Sequence, residues 1–419
     1  MNEHPKPPPV QGLDIDQALH RGLTESRSSR RGFLKASAGV VGLAPLLAAC
    51  GVAGTAASGK QNKQFDWTAW WHRQKPTNQL VFANWPYYID TTASGKNHPS
   101  LELFTKQTGI NVNYKEVIQN NAPFYAQIAP VLQAGQSTGY DIIVITNGWQ
   151  LTQLLENGWI VPLWTEKLPN FQKYASPSVK SPSYDPNSKY SVVWQSGFTG
   201  IGYNPKLTGR EITSINDLWD PKFKGHVGMM SDNTELGSVA LLKLGIDPAT
   251  STPADWDKAA NILNQQRPNV RQYYDQSYIT ALQDGDTWIS QAWSGDIYQA
   301  NLKGYKDLKF VIPEQGVMYW HDNMMIPLHA PNPLSALEWM NFYYTPKVAG
   351  MVADWVNYIS PVPAAQQYIA DVIKDPTVAN SPLVFPTQSE YSKAHDYYTF
   401  KNYNDYTHWN NTFNPIIQS

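Results

Sequence analysis

The sequence predicts an α/β protein of two lobes. Short apolar strands alternate with helices, the links between them are short, and one long extended stretch separates two such series. A chain of 419 residues with 42% hydrophobic residues is long enough for two packed domains. Ligands of open α/β sheets bind beyond the carboxyl ends of the strands, so the cleft between the lobes is the expected site.

The first series of elements supports a mostly parallel sheet. Strands are predicted at 80–83, 110–117 and 140–145, and helices at 99–108, 125–134 and 151–156. Gly109 and Gly158 are expected to end the first and third of these helices.

The stretch 190–204 is extended, contains three glycines and is interpreted as the crossover into the second series. That series has predicted strands at 227–230, 287–293 and 308–312, with helices at 213–219, 232–244, 254–267, 277–284 and 295–302. A buried strand at 317–327 then returns the chain, and helices follow at 334–344 and 347–357. The expected domains are 79–198 with 316–362 as lobe one, 199–315 as lobe two, and a helical tail at 363–419 without a lobe assignment.

The first 49 residues have the features of an export signal. Arg30 and Arg31 lie in a close match to the twin-arginine signature, and an uncharged run too short to span a bilayer follows them. The run ends at Cys50 in a sequence that resembles the bacterial lipobox, which implies cleavage before Cys50 and acylation of this cysteine. The alternative is a chance cysteine after small residues. Residues 50–78 are expected to form a tether, within which the aromatic segment 65–73 either packs on the body or lies at the membrane surface.

Composition and motifs exclude several classes of function. The formal net charge is −2, so there is no basic field for nucleic acid. The single cysteine excludes an intrachain disulfide and a thiolate metal cluster. No nucleotide-binding, hydrolase or metalloprotease motif is present, so we predict a non-enzymatic protein without a cofactor or a metal.

The stretch 316–327 pairs an aromatic side chain with a carboxylate. Side chains alternate along a strand, so Trp320 and Asp322 are expected on the same side. A flat apolar face beside a negative charge suits a cation on a hydrocarbon stem. The alternative is a core tryptophan beside a turn-capping aspartate. Further aromatic, hydroxyl or acidic groups are expected at the ends of other strands: Trp85, Thr146, Asp232 and Trp293.

The order and spacing of several short motifs carry a family resemblance. These motifs are Asn84-Trp85-x-x-Tyr88, Phe104-x-x-x-Thr108-Gly109, Tyr140-Asp141-Ile142-Ile143-Val144, Asp217-Leu218-Trp219 with Lys224-Gly225, Asp232-x-x-Glu235, Trp293-Ser294-Gly295, Trp320-x-Asp322, and Tyr358 before Pro361. From about residue 80 to 365 the chain resembles the spermidine/putrescine-binding proteins of bacterial ABC importers. The resemblance implies a type II periplasmic-binding-protein-like fold with hinge strands. It also implies a monomeric, extracytoplasmic lipoprotein that captures a polyamine and delivers it to a permease driven by an ATPase.

The resemblance also implies the ligand-binding residues. Acidic groups that recognise amines match Asp232, Glu235 and Asp322, and a family hydroxyl matches Thr146. Aromatic residues that line the methylene chain match Trp85, Tyr88, Trp293, Trp320 and Tyr358. Asp232-x-x-Glu235 is also the pattern of a helix capping box, and Asp296 is expected to be a helix N-cap, with an additional site carboxylate as the alternative.

Several positions depart from the family pattern and leave the ligand open. Pro86 replaces a hydroxyl residue, and Gly148 replaces an aromatic residue whose space Trp149 is a candidate to fill. His321 is expected to face away from the site, and His408 is a candidate for a polar contact residue. The alternatives are ferric iron bound by tyrosine pairs, a sugar, a cationic amino-acid derivative, a sensor that presents the same fold to a receptor, or an extracytoplasmic enzyme.

Overall fold

The computed structural model describes residues 65–92, 95, 97–302, 304 and 307–418. The expected leader at 1–49, with Arg30 and Arg31, lies outside the described residues, as do Cys50 and the tether as far as residue 64. The described residues belong to one compact unit.

The strands form a single ten-stranded sheet. They are Gln79–Asn84 (β1), Asn111–Glu116 (β2), Ile142–Thr146 (β3), Ser191–Tyr203 (β4), Val227–Met230 (β5), Val270–Tyr274 (β6), Ile289–Trp293 (β7), Lys309–Val311 (β8), Val317–Met325 (β9) and Ala394–His395 (β10). The order is β2-β1-β3-β9-β4-β7-β5-β6, with β10 paired to β9 and β8 paired to β4.

Helices cover the sheet. They are Trp67–Arg73 (α1), Pro99–Thr108 (α2), Asn121–Gln133 (α3), Trp149–Glu156 (α4), Pro169–Tyr174 (α5), Pro205–Thr208 (α6), Asn233–Lys243 (α7), Pro253–Gln266 (α8), Tyr278–Asp284 (α9), Ser294–Leu302 (α10), Pro333–Tyr343 (α11), Pro346–Val356 (α12), Ala365–Tyr368 (α13), Pro376–Ala379 (α14), Gln388–Tyr391 (α15) and Tyr403–Gln418 (α16). Within the described ranges, none is long and apolar enough to cross a membrane.

Two parallel α/β halves meet at two antiparallel strands. Strands β2, β1 and β3 are parallel in one half, and β7, β5 and β6 are parallel in the other. Strand β4, with all 13 of its residues buried, pairs antiparallel with β9 along its first part and with β7 along its last part. β9 also pairs antiparallel with β3. The predicted two-lobed α/β architecture is therefore confirmed, with β4 and β9 as the strands that join the halves.

Local sequence signals explain why most elements lie where predicted. Helix α2 begins with Pro99 at its first position, where the missing N–H has no intrahelical partner, and ends at Gly109 in the left-handed conformation with φ 76°. The predicted crossover at 190–204 is β4. Strand β6 was not predicted, because its residues alternate poorly and it lies at the edge of the sheet, mostly exposed or half-buried.

The aromatic segment 65–73 packs on the body. Trp71 is buried and donates its indole N–H to the carbonyl of Pro162 across 2.9 Å, while its ring lies 6.2 Å from that of Trp164. Asp66 caps helix α1 by accepting the N–H of Ala69. Of the two alternatives for this segment, contact with the body is the one found.

The C-terminal tail contacts both halves. Strand β10 pairs with the start of β9, and helix α16 packs on α7 and α8. Near its start, Tyr406 stacks on Trp149 of α4, with ring centroids 4.4 Å apart and planes at 10°. The tail thus bridges the two series of elements.

Candidate functional site

The predicted site residues gather around β4 and β9, the two antiparallel strands that join the halves. Thr199 of β4 is in register with Met318 of β9 on one side and with Trp293 of β7 on the other. Trp85 follows β1, Thr146 and Trp293 end β3 and β7, and Asp232 follows β5. The expectation that these groups lie at carboxyl ends of strands is confirmed.

The carboxyl of Asp322 is buried and held by two hydroxyls. Thr146 donates its hydroxyl to Oδ1 across 2.6 Å, and Tyr88 donates its hydroxyl to Oδ2 across 2.7 Å. Burial raises the pKa of Asp322 to about 6, although both hydrogen bonds act to lower it. Each oxygen of this carboxyl therefore has one protein donor.

The carboxyl of Glu235 is held by one oxygen only. Thr199, Trp293 and Tyr397 donate to Oε1 at 2.8, 3.1 and 2.6 Å. The other oxygen, Oε2, is buried and has no hydrogen-bond partner among the described residues. Burial and, next, the charge of Asp232 raise the pKa of Glu235 to about 7.

Asp232 caps helix α7. Its Oδ1 accepts the backbone N–H groups of Thr234 and Glu235 at 2.8 and 3.1 Å. The side chain of Glu235 bonds to Thr199, Trp293 and Tyr397 and does not accept the backbone N–H of Asp232. Only the Asp232 half of the expected capping box therefore forms. Asp232 remains accessible to solvent, yet the surrounding protein desolvates it and raises its pKa.

Asp296 is a further carboxyl of this region, and the expectation that it is a helix N-cap was wrong. It is the third residue of helix α10 and therefore not its N-cap. Tyr278 donates to Oδ2 across 2.7 Å and Tyr358 donates to Oδ1 across 2.9 Å. Asp296 follows Trp293 by three residues, which is also the spacing of a helix N-cap, so the sequence pattern did not distinguish a cap from an acceptor of tyrosine hydroxyls.

Aromatic rings lie between the carboxyls. Tyr358 meets Tyr88 edge to face with centroids 5.6 Å apart, and its centroid lies 5.4 Å from that of Trp320. The indole N–H of Trp320 donates to the hydroxyl of Thr199 across 3.1 Å. Tyr88 contacts Asp322 with its hydroxyl and Tyr358 with its ring. These contacts agree with the expected placement of Trp320 and Asp322 on one side of β9.

Two glycines allow these rings to approach the backbone. A Cβ at Gly197 would lie 2.3 Å from the ring of Trp320, and a Cβ at Gly295 would lie 2.6 Å from the ring of Tyr358. Any side chain at either position would displace the ring. The sequence motif Trp293-Ser294-Gly295 therefore includes a residue whose role is to leave space.

Trp85 lies beside this set of contacts. It is half-buried, and its indole donates to the carbonyl of Val144 across 3.1 Å. The other predicted ligand-binding residues belong to one connected set of hydrogen bonds and ring contacts: Tyr88, Thr146, Asp232, Glu235, Trp293, Trp320, Asp322 and Tyr358.

His321 faces the opposite side of β9, as expected. Its Nδ1 lies 2.6 Å from the hydroxyl of Ser196, and its ring lies 4.4 Å from that of Tyr319. Burial lowers the pKa of His321 to about 3, so the ring is neutral at physiological pH. It therefore adds no positive charge behind the site.

Two residues at positions that depart from the family pattern have contacts with the tail or the surface. The ring of Trp149 is stacked on that of Tyr406. His408 lies against Trp256 and 3.7 Å from Asp257, on the surface of the second half. The tail residue that reaches a site carboxyl is Tyr397. The tail contains many tyrosines, and the sequence does not indicate which of them contacts Glu235.

The tyrosine pairs 343–344 and 397–398, which are candidates for ferric iron, donate their hydroxyls to protein acceptors. Tyr343 and Tyr344 donate to the backbone carbonyls of Trp194 and Val193 inside the core. Tyr398 donates to Asp405 across 3.1 Å. Among the described residues, no group of three or more histidines, cysteines or acids is arranged to hold a metal ion.

A comparison with protein families identifies the group to which the chain belongs. The model for bacterial extracellular solute-binding proteins matches residues 101–384. This chain belongs to that family. Relatives of this solute-binding protein include the spermidine/putrescine-binding periplasmic protein of Escherichia coli strain K12, which is 31% identical over 310 residues, covering 74% of this chain and 83% of the relative. The putrescine-binding periplasmic protein SpuD of Pseudomonas aeruginosa is 30% identical over 334 residues, covering 76% of this chain and 85% of the relative.

Solved structures share its fold. The spermidine/putrescine ABC transporter substrate-binding protein PotD of Streptococcus pneumoniae superposes with a TM-score of 0.70 at 23% identity, covering 82% of this chain and 99% of that one. The Tp0655 lipoprotein of Treponema pallidum has a TM-score of 0.68 at 20% identity, covering 81% and 100%. The predicted type II periplasmic-binding-protein fold is thus confirmed for this solute-binding protein.

Proposed function

We propose that this solute-binding protein captures a polyamine, putrescine or spermidine, between its two lobes and delivers it to an ABC permease. The main support is electrostatic. Among the described residues, the carboxyls of Asp322 and Glu235 accept only neutral side-chain donors, four hydroxyls and an indole N–H. Two buried carboxyls without a cationic partner are costly in the ionised form, and a cationic ligand offsets that cost.

The rings between the carboxyls suit the hydrocarbon part of such a ligand. Tyr88, Trp320 and Tyr358 provide flat apolar faces, and burial of each CH₂ group contributes about 0.8 kcal/mol. An ammonium near these rings also gains cation–π attraction. A neutral sugar would leave Asp322 and Glu235 without a matching charge. The names of the relatives point to the same ligand class.

The proposed mechanism is hinge closure about β4 and β9. The lobes are taken as 79–198 with 316–362 and as 199–315, so Asp322 and Glu235 lie on different lobes. A diamine that contacts both carboxyls binds the closed form more tightly than the open form, and it therefore shifts the population toward closure. The protein would act as a monomer, without catalysis or a cofactor, and would present the closed form to the permease and its ATPase.

The proposed location is the outer face of the cytoplasmic membrane or the periplasm, reached by the twin-arginine route. The supporting features are Arg30, Arg31 and the lipobox-like sequence before Cys50. Cys50→Ser should move the exported chain from the membrane fraction to the soluble fraction. Replacing Arg30 and Arg31 together by lysine should block export. Unchanged fractionation of both variants would overturn this part of the proposal.

Calorimetric titration of residues 65–419, which form one compact unit, tests whether the protein binds a polyamine. Putrescine and spermidine are the ligands, and maltose and ferric citrate are the controls. Asp322→Asn should weaken amine binding by about tenfold to a hundredfold, because a hydrogen bond to a charged group contributes about 1.5–3 kcal/mol. Asp354→Asn is the matched control. Burial raises the pKa of the Asp354 carboxyl to about 6 as well, but this residue lies on helix α12, outside the proposed site. Absence of amine binding, or equal effects of the two variants, would reject the proposal.

A further inference from the structure

One carboxylate oxygen of Glu235, Oε2, has no hydrogen-bond partner among the described residues, and this asymmetry bears on which cationic group can bind there. We propose that the Glu235 end of the site selects an ammonium against a guanidinium, and that Tyr397 is a specificity-determining residue for this selection. The inference rests on the proposed function, since it concerns which cationic end group enters the same site.

The first step concerns the hydrogen-bonding capacity of the carboxylate. An ionised carboxylate has about four lone-pair sites, two on each oxygen. Oε1 of Glu235 already accepts from Thr199, Trp293 and Tyr397, at 2.8, 3.1 and 2.6 Å. These donors occupy Oε1 fully. Oε2 is buried and has no partner among the described residues, so a ligand meets the carboxylate through Oε2 alone.

The second step concerns the geometry of the ligand. A guanidinium binds a carboxylate best through two parallel N–H···O bonds, one to each oxygen. An ammonium is a compact charge that needs only one carboxylate oxygen. Because Oε1 is occupied, a guanidinium at Glu235 is limited to a single bond, whereas an ammonium loses nothing.

Asp322 differs from Glu235 in this respect. Thr146 donates to its Oδ1 and Tyr88 donates to its Oδ2, so each oxygen keeps one lone pair. A guanidinium can bond to both oxygens there. A ligand with one end of each kind, such as agmatine, is therefore expected to bind in one direction, with its ammonium at Glu235.

Tyr397 is placed for this role by the tail. The pairing of β10 with β9 at residues 394–395 fixes the backbone two residues before Tyr397, and Tyr397 itself is 7% exposed. It makes the shortest of the three bonds to Oε1. Its neighbour Tyr398 turns away and donates to Asp405, so Tyr398→Phe removes a hydroxyl from the same segment without touching Glu235.

The test compares three ligands with the same four-carbon spacer: putrescine, agmatine and 1,4-diguanidinobutane. In the wild-type protein, 1,4-diguanidinobutane should bind at least about tenfold more weakly than putrescine, because guanidinium N–H groups that find no acceptor at Glu235 are buried unpaired, while agmatine, which can place its guanidinium at Asp322, should lie closer to putrescine. The double variant Tyr397→Phe with Thr199→Val leaves Oε1 only the indole donor of Trp293 and so frees one acceptor site, and it should narrow the ratio of the putrescine and 1,4-diguanidinobutane affinities at least about threefold. Tyr398→Phe should leave the ratio unchanged.

The outcomes separate the inference from the proposed function. Tight binding of putrescine together with equally tight binding of 1,4-diguanidinobutane would overturn the inference and leave the proposed function in place. An unchanged ratio in the double variant Tyr397→Phe with Thr199→Val would also overturn it, even if that variant binds all three ligands more weakly. No binding of any of the three ligands to the wild-type protein would reject the proposed function itself.

Discussion

Tyr88 and Tyr358 meet edge to face, with planes at 89°, and each donates its hydroxyl to a different carboxyl. Tyr88 bonds to Asp322 of β9, and Tyr358 bonds to Asp296 of helix α10. If residues 316–362 belong to lobe one and 199–315 to lobe two, the bond between Tyr358 and Asp296 crosses the lobe boundary. The ring pair then connects a carboxyl of one lobe with a carboxyl of the other.

Removal of the Tyr358 hydroxyl should weaken closure. Tyr358→Phe keeps the ring contacts with Tyr88 and Trp320 but loses a bond to Asp296, which should lower affinity for putrescine by about tenfold at a typical 1.5 kcal/mol for a bond to a charged group. Calorimetry measures the affinity. Tyr184→Phe is the control, because Tyr184 loses a bond of 2.8 Å to Asn323 outside the proposed site. Equal affinities of the two variants would show that the bond does not contribute.

Substitution of the glycines that contact the rings should weaken amine binding as much as substitution of the rings themselves. Gly197→Ala and Gly295→Ala place a methyl group within 2.3 and 2.6 Å of Trp320 and Tyr358, so the rings must move. Overpacking of this kind costs typically about 1–3 kcal/mol of stability. We expect amine affinity to fall at least about tenfold in each variant, since each displaces one aromatic wall of the site.

Gly228→Ala separates damage to the site from damage to the fold. Its added methyl group would lie 2.5 Å from the hydroxyl of Ser290, away from the aromatic walls. This variant should lose stability in thermal unfolding but bind putrescine as the wild type does. If Gly228→Ala and Gly295→Ala lose affinity to the same degree, the close approach of Tyr358 to Gly295 has no special role in binding.

Much of the fold was predictable from local patterns. The capping of helix α2, the run of apolar residues in β3 and the long extended stretch of β4 are each encoded within about a dozen residues, where periodicity and glycine or proline placement are informative. Strand β6 was missed because an edge strand needs no regular apolar face. Strand β10 has only two residues and depends on its partner, β9.

The site was predictable only where a family motif covered it. Asp296 follows Trp293 by three residues, which fits a helix cap as well as a site carboxyl, and only the positions of Tyr278 and Tyr358 decide between them. Tyr397 contacts Glu235 across 162 residues of sequence. Such a contact depends on tertiary packing of the tail, and local sequence contains no information about it.

Asp296 should matter for binding as much as the carboxyls identified by the motifs. Asp296→Asn keeps an acceptor for a tyrosine hydroxyl but removes the negative charge near the rings. Affinity for putrescine should therefore fall by about tenfold or more, as for loss of one charge-assisted hydrogen bond. Titration calorimetry should show this loss, and Asp354→Asn should show none. Wild-type affinity in Asp296→Asn would leave Asp296 with a structural role only.

The raised pKa values of Glu235 and Asp322 predict opposite pH dependences for binding and for stability. Burial raises the pKa of Glu235 to about 7, with a further contribution from Asp232, and burial raises that of Asp322 to about 6. The ionised forms bind an ammonium, so affinity for putrescine should rise between about pH 5 and pH 8, by up to about tenfold per pH unit for each carboxyl below its pKa.

The unliganded protein should respond in the other direction. An unfolded glutamate has a pKa of about 4.3, so between that pH and about 7 the native state holds more protons than the unfolded state, and the free energy of unfolding falls as pH rises. Glu235→Gln should remove the step near pH 7 from both profiles and leave the step of Asp322 near pH 6. Thermal unfolding with and without putrescine, measured at several pH values, gives both profiles. An affinity that does not change between pH 5 and pH 8 would contradict the assignment of these two carboxyls to the ligand.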